Sequence, residues 1–140
     1  MFSSLDISTS ALVAQRTRLN AVSSNIANMS SLTDETGRPN PYKARQVVFE
    51  SDFSISSSGA AAGVRVSEIK TDNADPLYRY QPNHPLAIQD GERKGYVAYP
   101  NIDLTTQMVD ALESTRAYEA NVGVMEITKD LGRETLTIIA

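Results

Sequence analysis

The residues of this chain that could perform catalysis are few and scattered. His84 is the only histidine in the 140 residues, and it stands between Asn83 and Pro85 in a turn-rich segment. Cysteine is absent, which excludes disulfides, thiolate zinc sites and thiol nucleophiles. A single histidine without cysteine cannot supply the usual zinc ligand sets. We therefore interpret His84 as a structural residue.

Carboxylates form a loose group in and after the central loops, namely Asp72, Asp75, Asp90, Glu92 and Asp103. Their spacing does not match the ligand pattern of a calcium-binding EF-hand loop. The glycines form neither of the common phosphate-binding motifs, and no G-x-S-x-G motif is present. These observations predict no catalytic residue, no metal and no cofactor. An enzyme would have to be a metal-dependent hydrolase built on these loop carboxylates.

Charge and hydropathy indicate which partners are not expected, namely nucleic acid and the membrane interior. The net charge is −4 and the pI is about 4.9, and without a basic patch nucleic acid is not an expected ligand. The first six residues contain no basic residue, so the charge layout of a secretory signal peptide is missing. No run reaches the roughly 18 apolar residues that cross a bilayer, so membrane insertion is not expected.

The N-terminal region predicts an amphipathic helix over residues 5–28. Its apolar residues recur at seven-residue spacing, with two more between them: Leu5, Leu12, Leu19 and Ile26, then Val22 and Met29. Ser8 and Gln15 interrupt this stripe. Asn28 is a suitable helix end, because asparagine tolerates the left-handed conformation.

The middle of the chain predicts loops and short strands. Pro39 and Pro41 exclude a continuing helix. Strand-like runs occur at residues 45–49, 63–69, 77–80 and 96–99. The serine- and alanine-rich residues 54–63 predict a loop between the first two runs.

The C-terminal region predicts a second, longer helix. Residues 101–140 contain no proline, and Asn101 or Asp103 is a suitable N-cap. Spacing of three to four residues defines a mainly apolar face that includes Met108, Ala111, Tyr118, Val122, Met125 and Leu136. Asp110, Glu113 and Arg116 are assigned to the opposite face of this helix. Gly123 and Gly132 are expected to lower the stability of the helix, since glycine is a poor helix former.

These elements together predict an α+β fold that is mainly α. Long N- and C-terminal helices pair as a coiled-coil-like hairpin, with a small irregular β-rich region between them. We divide the chain into an N-terminal axial helix (1–30), a loop and β-rich middle region (31–100) and a C-terminal axial helix (101–140). The apolar stripes exceed what such a slender hairpin can bury alone, which favours oligomerisation, with packing on the β region as the alternative.

Two signatures resemble known proteins. The first is Ala-Leu-Val-Ala-Gln-Arg-Thr-Arg-Leu at 11–19, running into Ser-Ser-Asn-Ile-Ala-Asn at 23–28. It resembles the N-terminal helix of flagellar rod, hook and filament-type axial proteins, and residues 41–50 resemble the region that follows. The second is Gly-Tyr-Val-Ala-Tyr-Pro-Asn at 95–101, followed by Arg-Ala-Tyr-Glu-Ala-Asn-Val at 116–122. With residues 80–85 and the short length, it resembles the proximal rod subunits of that family.

The resemblance implies a structural subunit of the flagellar basal body, exported from the cytoplasm by the flagellar type III apparatus without a cleaved signal peptide. It implies assembly with other rod proteins and with copies of itself into a helical, torque-transmitting rod. Its implied assembly interface comprises Leu5, Leu12, Gln15, Leu19, Val22, Asn25, Ile26, Asn28, Met108, Ala111, Arg116, Tyr118, Asn121, Val122, Met125 and Leu136. For the polar members, a solvated or intramolecular contact is the alternative.

A different class of function competes with this one. A helical adaptor or secreted binding module would use the same stripes to form a closed dimer or to bind one soluble protein. Open-ended incorporation into a multi-protein rod would support the rod subunit, whereas a closed complex would support the adaptor or binding module.

Overall fold

Two long terminal helices enclose a small β region. The computed structural model describes residues 2–55 and 62–139. Its elements are α1 (Phe2–Ala27), β1 (Arg45–Asp52), a 3-10 turn (Phe53–Ile55), β2 (Gly63–Thr71), β3 (Leu77–Tyr80), β4 (Tyr96–Tyr99) and α2 (Leu104–Ile139). The predicted fold class is confirmed. The tip of the predicted loop, residues 56–61, lies outside the described residues.

Asn28 follows the last residue of α1, and Asp103 precedes α2. Asn28 does not take the left-handed conformation that the sequence analysis assumed, because among the described residues only glycines have a positive φ. The Asn28 amide nitrogen Nδ2 donates to the Ser24 carbonyl at 2.9 Å, satisfying a carbonyl in the last turn of α1. The Asp103 carboxylate caps α2, accepting hydrogen bonds from the backbone N–H groups of Thr105 and Thr106 at 3.2 and 3.3 Å. Of the two suggested caps, Asp103 is the one used.

The strands form two separate antiparallel hairpins. β1 pairs with β2 from Arg45↔Thr71 to Asp52↔Gly63, with a bulge at Val48 and Phe49. β3 pairs with β4 from Leu77↔Tyr99 to Tyr80↔Tyr96. The four strands lie where the sequence predicted them, although β1 and β2 extend further, to Asp52 and Thr71.

α1 is the central element, because it packs against α2 and also against β1 and β2. The link to β2 is tight. The Ser10 hydroxyl accepts a hydrogen bond from the Val64 backbone N–H at 3.1 Å, and a Cβ at Gly63 would lie 2.8 Å from the Ser10 Oγ. Packing of α1 on the β region, the alternative to oligomerisation, therefore occurs, and oligomerisation stays a prediction.

Candidate assembly interface

An ion pair joins the two helices in antiparallel register. Arg18 of α1 donates from Nη2 to the Asp110 carboxylate of α2 at 2.9 Å, and Glu113 lies 3.6 Å from the same nitrogen. About a third of the Arg18 and Asp110 side chains is exposed, so water screens the pair and its energetic contribution is modest. The assignment of Asp110 to the face opposite the packed one is therefore wrong.

Asn25 joins three elements from a fully buried position, with 2% of its surface exposed. Its Nδ2 donates to the Arg45 carbonyl and to Gln107 Oε1, both at 2.9 Å. Its Oδ1 accepts from the Arg45 backbone N–H at 2.8 Å and from the Tyr42 hydroxyl at 3.2 Å. The amide thus pairs with β1 as a neighbouring strand would, and it also binds α2.

Small and polar side chains fill the contact between the helices. Ser8, Ala14 and Ser114 are buried, and Ser114 has no exposed surface. Its hydroxyl donates to the Asp110 carbonyl at 2.8 Å, so burial leaves this donor satisfied. Gln15 is an exception, because its buried Oε1 has no hydrogen-bond donor among the described residues.

The predicted apolar residues of α1 border this contact. Val22 is buried, whereas the four residues at seven-residue spacing are only half-buried: Leu5, Leu12, Leu19 and Ile26. The packed side of α1 is therefore centred on Ser8, Val22 and Asn25, not on the leucines.

The predicted face of α2 is divided between packed and open surface. Ala111, Val122 and Met125 are half-buried. The remaining apolar and charged members of the proposed set are exposed, namely Met108, Arg116, Tyr118 and Leu136.

Two asparagines of the proposed set make local hydrogen bonds. Asn28 Nδ2 binds the Ser24 carbonyl, and its Oδ1 accepts from the Ser31 hydroxyl at 3.1 Å. Asn121 Nδ2 donates to the Ala117 carbonyl one turn back at 2.8 Å. The intramolecular alternative thus accounts for these hydrogen bonds, as it does for those of Asn25.

A second apolar side of α2 was missed by the sequence reasoning. We call it the outer stripe, and it comprises Val109, Leu112, Val124, Ile127 and Leu131, which are 47–62% exposed. At 100° per residue, the buried Ser114 lies about 140° around the helix from Val109. The stripe therefore faces away from α1. Its spacings of three, twelve, three and four residues are visible in the sequence, but the sequence analysis followed the other apolar face, which includes Met108 and Val122.

The groups that could do chemistry make only local contacts. His84 Nδ1 accepts a hydrogen bond from the Leu86 backbone N–H at 3.1 Å. Hydrogen bonds from the neighbouring Thr36, Ser54 and Thr106 side chains lower the pKa of Asp34, Asp52 and Asp103, respectively. Each of these carboxylates serves a turn or a helix start.

The described part of the chain offers neither a metal-binding cluster nor a membrane-spanning helix. Within residues 2–55 and 62–139, no group of three or more histidine, aspartate or glutamate side chains is placed to hold a metal ion. In the same part of the chain, neither helix combines the length and apolarity needed to cross a bilayer.

Paired terminal helices with apolar surface left on the outer side are typical of a structural subunit that packs helix against helix in a larger assembly. Comparison with known proteins agrees. Residues 5–33 match the family described as "Flagella basal body rod protein". Residues 93–138 match the family described as "Flagellar basal body rod FlgEFG protein C-terminal".

Relatives matching nearly the full chain identify the branch of that family. The flagellar basal-body rod protein FlgC of Yersinia enterocolitica is 44% identical over 95% of this chain and 93% of its own length. FlgC of Bacillus subtilis (strain 168) is 42% identical over 98% and 97%, and FlgC of Borreliella burgdorferi is 35% identical over 99% and 97%. The chain belongs to the FlgC family of flagellar basal-body rod proteins and is a structural subunit of the rod.

Proposed function

We propose that this subunit polymerises with other rod proteins and with copies of itself, forming the shaft that carries motor torque across the periplasm. The observation that supports this most is the outer stripe. It consists of two groups of exposed apolar side chains on the side of α2 that faces away from α1, Val109 with Leu112 and Val124 with Ile127 and Leu131. Exposed apolar patches mark protein interaction sites.

In this proposal the three segments have different roles. Residues 1–30 and 101–140 are the axial helices that contact neighbouring subunits, and residues 31–100 form the outward-facing middle region. The subunit is exported by the flagellar type III apparatus without cleavage of a signal peptide. We expect it to catalyse no reaction, since the relatives that it resembles are named as flagellar rod proteins.

The first test is mass spectrometry of detergent-extracted basal bodies from the source organism, stripped of hook and filament. We expect the chain to co-purify with the rod. Its absence from an otherwise complete basal body would favour the closed-dimer adaptor instead.

A second test places charge on the packed helices. Leu19→Asp and Val122→Asp are expected to block rod assembly and motility without abolishing expression, because a carboxylate is costly to desolvate at a half-buried position. Asn20→Asp adds the same charge at an exposed position of α1 and should leave motility near normal. Normal motility in both test variants would refute the interface.

A further inference from the structure

The β3–β4 hairpin carries an exposed tyrosine ring that neighbouring residues hold in place. Tyr80 pairs with Tyr96 across the hairpin, and their ring centroids lie 5.2 Å apart in an edge-to-face arrangement. Gly95 has a φ of 83°, and a Cβ there would lie 2.9 Å from Cε2 of the Tyr80 ring, so glycine lets the ring lie close to the backbone. Tyr80 is nevertheless 65% exposed. It offers an open aromatic surface that is ordered in advance, which reduces the entropy lost on binding.

A pocket of about 260 Å³ lies beside this ring. Pro82, Ala87 and Ile88 supply its apolar wall, and Gln89 borders it as well. The Gln89 amide nitrogen Nε2 donates to the Ala87 carbonyl at 3.2 Å, which leaves Oε1 without a hydrogen bond within the described residues. The pocket is smaller than the roughly 300–1,000 Å³ of sites for drug-sized ligands. It therefore suits one small ring with its substituents.

Lys94 gives this pocket a positive charge. Within the part of the chain that the structure describes, it is the only charged residue that borders the pocket, and it is exposed and has no ion pair there. Asp90, Glu92 and Arg93 belong to the same turn, which is neutral overall, and they do not border the pocket. Arg79 and Arg93 lie over other tyrosine rings of the hairpin, 4.8 and 4.0 Å from the ring centroids. The charge that a ligand in the pocket meets is therefore that of Lys94.

We propose that this pocket binds an N-acetylated amino sugar that bears a carboxylate. The C–H groups of a sugar ring carry partial positive charge and stack on the negative face of the Tyr80 ring. Gln89 Oε1 can accept a hydrogen bond from the acetamido N–H, and the apolar wall at Ile88 covers its methyl group. The carboxylate pairs with Lys94. An acidic peptide offers a carboxylate and an amide but no sugar ring, so the exposed tyrosine favours the sugar.

This inference goes beyond the proposed rod function, because it gives the middle region a ligand of its own. β3 and β4 lie within residues 31–100, which that function leaves facing outward. One stacked ring and one exposed ion pair give weak binding with fast exchange. Contact with such a sugar would therefore not stop a shaft from turning.

Saturation-transfer NMR on the full-length chain measures binding of two matched sugars. N-acetylmuramic acid and N-acetylglucosamine differ only in the lactyl ether that carries the carboxylate. We expect a Kd on the order of 1 mM for the first and about threefold weaker binding of the second, as for loss of an exposed ion pair. Tyr80→Ala should weaken both by about tenfold. Phe53→Ala removes a ring that is equally exposed, at 64%, and lies outside the pocket, so it should change neither. Equal effects of the two substitutions would overturn the proposal.

Lys94→Gln tests the carboxylate. It should abolish the preference for N-acetylmuramic acid and leave binding of N-acetylglucosamine unchanged, whereas Lys129→Gln, at an exposed position of α2, should keep the preference. A preference that survives Lys94→Gln would contradict the pairing with Lys94. N-acetylglutamate has the acetamide and carboxylates without the sugar ring. Binding of N-acetylglutamate as tight as that of N-acetylmuramic acid would overturn the sugar in favour of an acidic peptide.

This ligand chemistry has two sources, a free amino sugar and a wall glycan. Co-sedimentation of the full-length chain with purified wall glycan distinguishes them, since only a site that accepts the polymer brings the parent chain, and not Tyr80→Ala, into the pellet. Binding of neither the sugars nor the glycan would overturn the proposal. Recovery of the chain in basal bodies tests the proposed function separately. The rod function therefore stands if sugar binding fails, and sugar binding by the isolated chain stands if the chain is absent from the rod.

Discussion

At the scale of single residues, Asn25 shows how one amide can organise a small fold. It lies near the end of α1, and its hydrogen bonds reach both backbone groups of Arg45 and the side chain of Gln107. All four hydrogen-bonding positions of the side chain are used. The start of β1 and the start of α2 are thereby held at the same end of α1.

Asn25→Ala is expected to destabilise the subunit by about 3 kcal/mol, because several buried polar groups lose their partner. For a chain of this length, the loss corresponds to a Tm lower by roughly 10 °C. Thermal unfolding followed by circular dichroism measures it. Asn20→Ala, at an exposed position of the same helix, should change the Tm little. An equal effect of both substitutions would show that Asn25 has no special role.

At the scale of elements, the start of α2 depends on a carboxylate. The Thr106 hydroxyl and the Thr105 and Thr106 backbone N–H groups bind Asp103 and lower its pKa below the ordinary value of 3.8. A lowered pKa in the folded state means that the cap stabilises the helix above about pH 4. This contribution is lost as the pH falls through the folded-state pKa.

Asp103→Ala should therefore lower the Tm at pH 7, and the difference from the parent chain should shrink as the pH falls below 4. Asp103→Asn keeps a side-chain oxygen that can cap the helix but does not titrate. Its Tm difference from the parent is expected to change in the same pH range, because only the parent loses a charge. A Tm difference for Asp103→Ala that is constant from pH 7 to pH 3 would contradict this assignment.

Two glycines allow a matched comparison of backbone effects. A Cβ at Gly63 would meet the Ile55 side chain and lie 2.8 Å from the Ser10 Oγ, whereas a Cβ at Gly123 would meet nothing within 4 Å. Gly63→Ala is expected to destabilise the packing of β2 on α1 by about 1–3 kcal/mol, as overpacking does. Gly123→Ala should stabilise α2 by up to about 1 kcal/mol. Urea unfolding compares them, and the same sign for both variants would be evidence against close packing at Gly63.

The elements were more predictable than the contacts between them. Prolines and glycines bounded the short runs that became β3 and β4, and Asp103 and Asn28 marked helix ends because capping is a local interaction. The packed side of α1 was not predictable in this way. An apolar repeat identifies Leu12 and Leu19, but burial of Ser8 and Asn25 depends on partners such as Gln107, which is far away in the chain.

The side of α2 that packs on α1 was predicted wrongly for the same reason. Asp110 was assigned to the outer face because it is charged, yet it packs toward α1, where Arg18 neutralises it. The buried Ser114 was not noticed, because a small polar residue contributes nothing to an apolar pattern. The resemblance identified the family, but it did not show which side of α2 stays open.

At the scale of the whole molecule, α2 has two different sides. One packs on α1 through the buried Ser114 and the half-buried Val122 and Met125, and the other is the outer stripe of exposed apolar side chains. A subunit that folded only for itself would gain by placing its large apolar residues inside, since burial of apolar area is the main stabilising contribution. The large apolar residues that stay exposed on α2 therefore favour association.

We expect the parent chain to associate with rising concentration, and Val124→Asp and Ile127→Asp to weaken that association while leaving the isolated subunit folded. Both side chains are about half or more exposed, so the free energy of unfolding should change by no more than about 0.5 kcal/mol. Sedimentation velocity over a concentration series measures the association. Thr115→Asp adds the same charge at an exposed position of α2 off the stripe and should associate like the parent chain. Undiminished association of both stripe variants would mean that the outer stripe faces solvent in the rod, and that subunits contact one another through other surfaces.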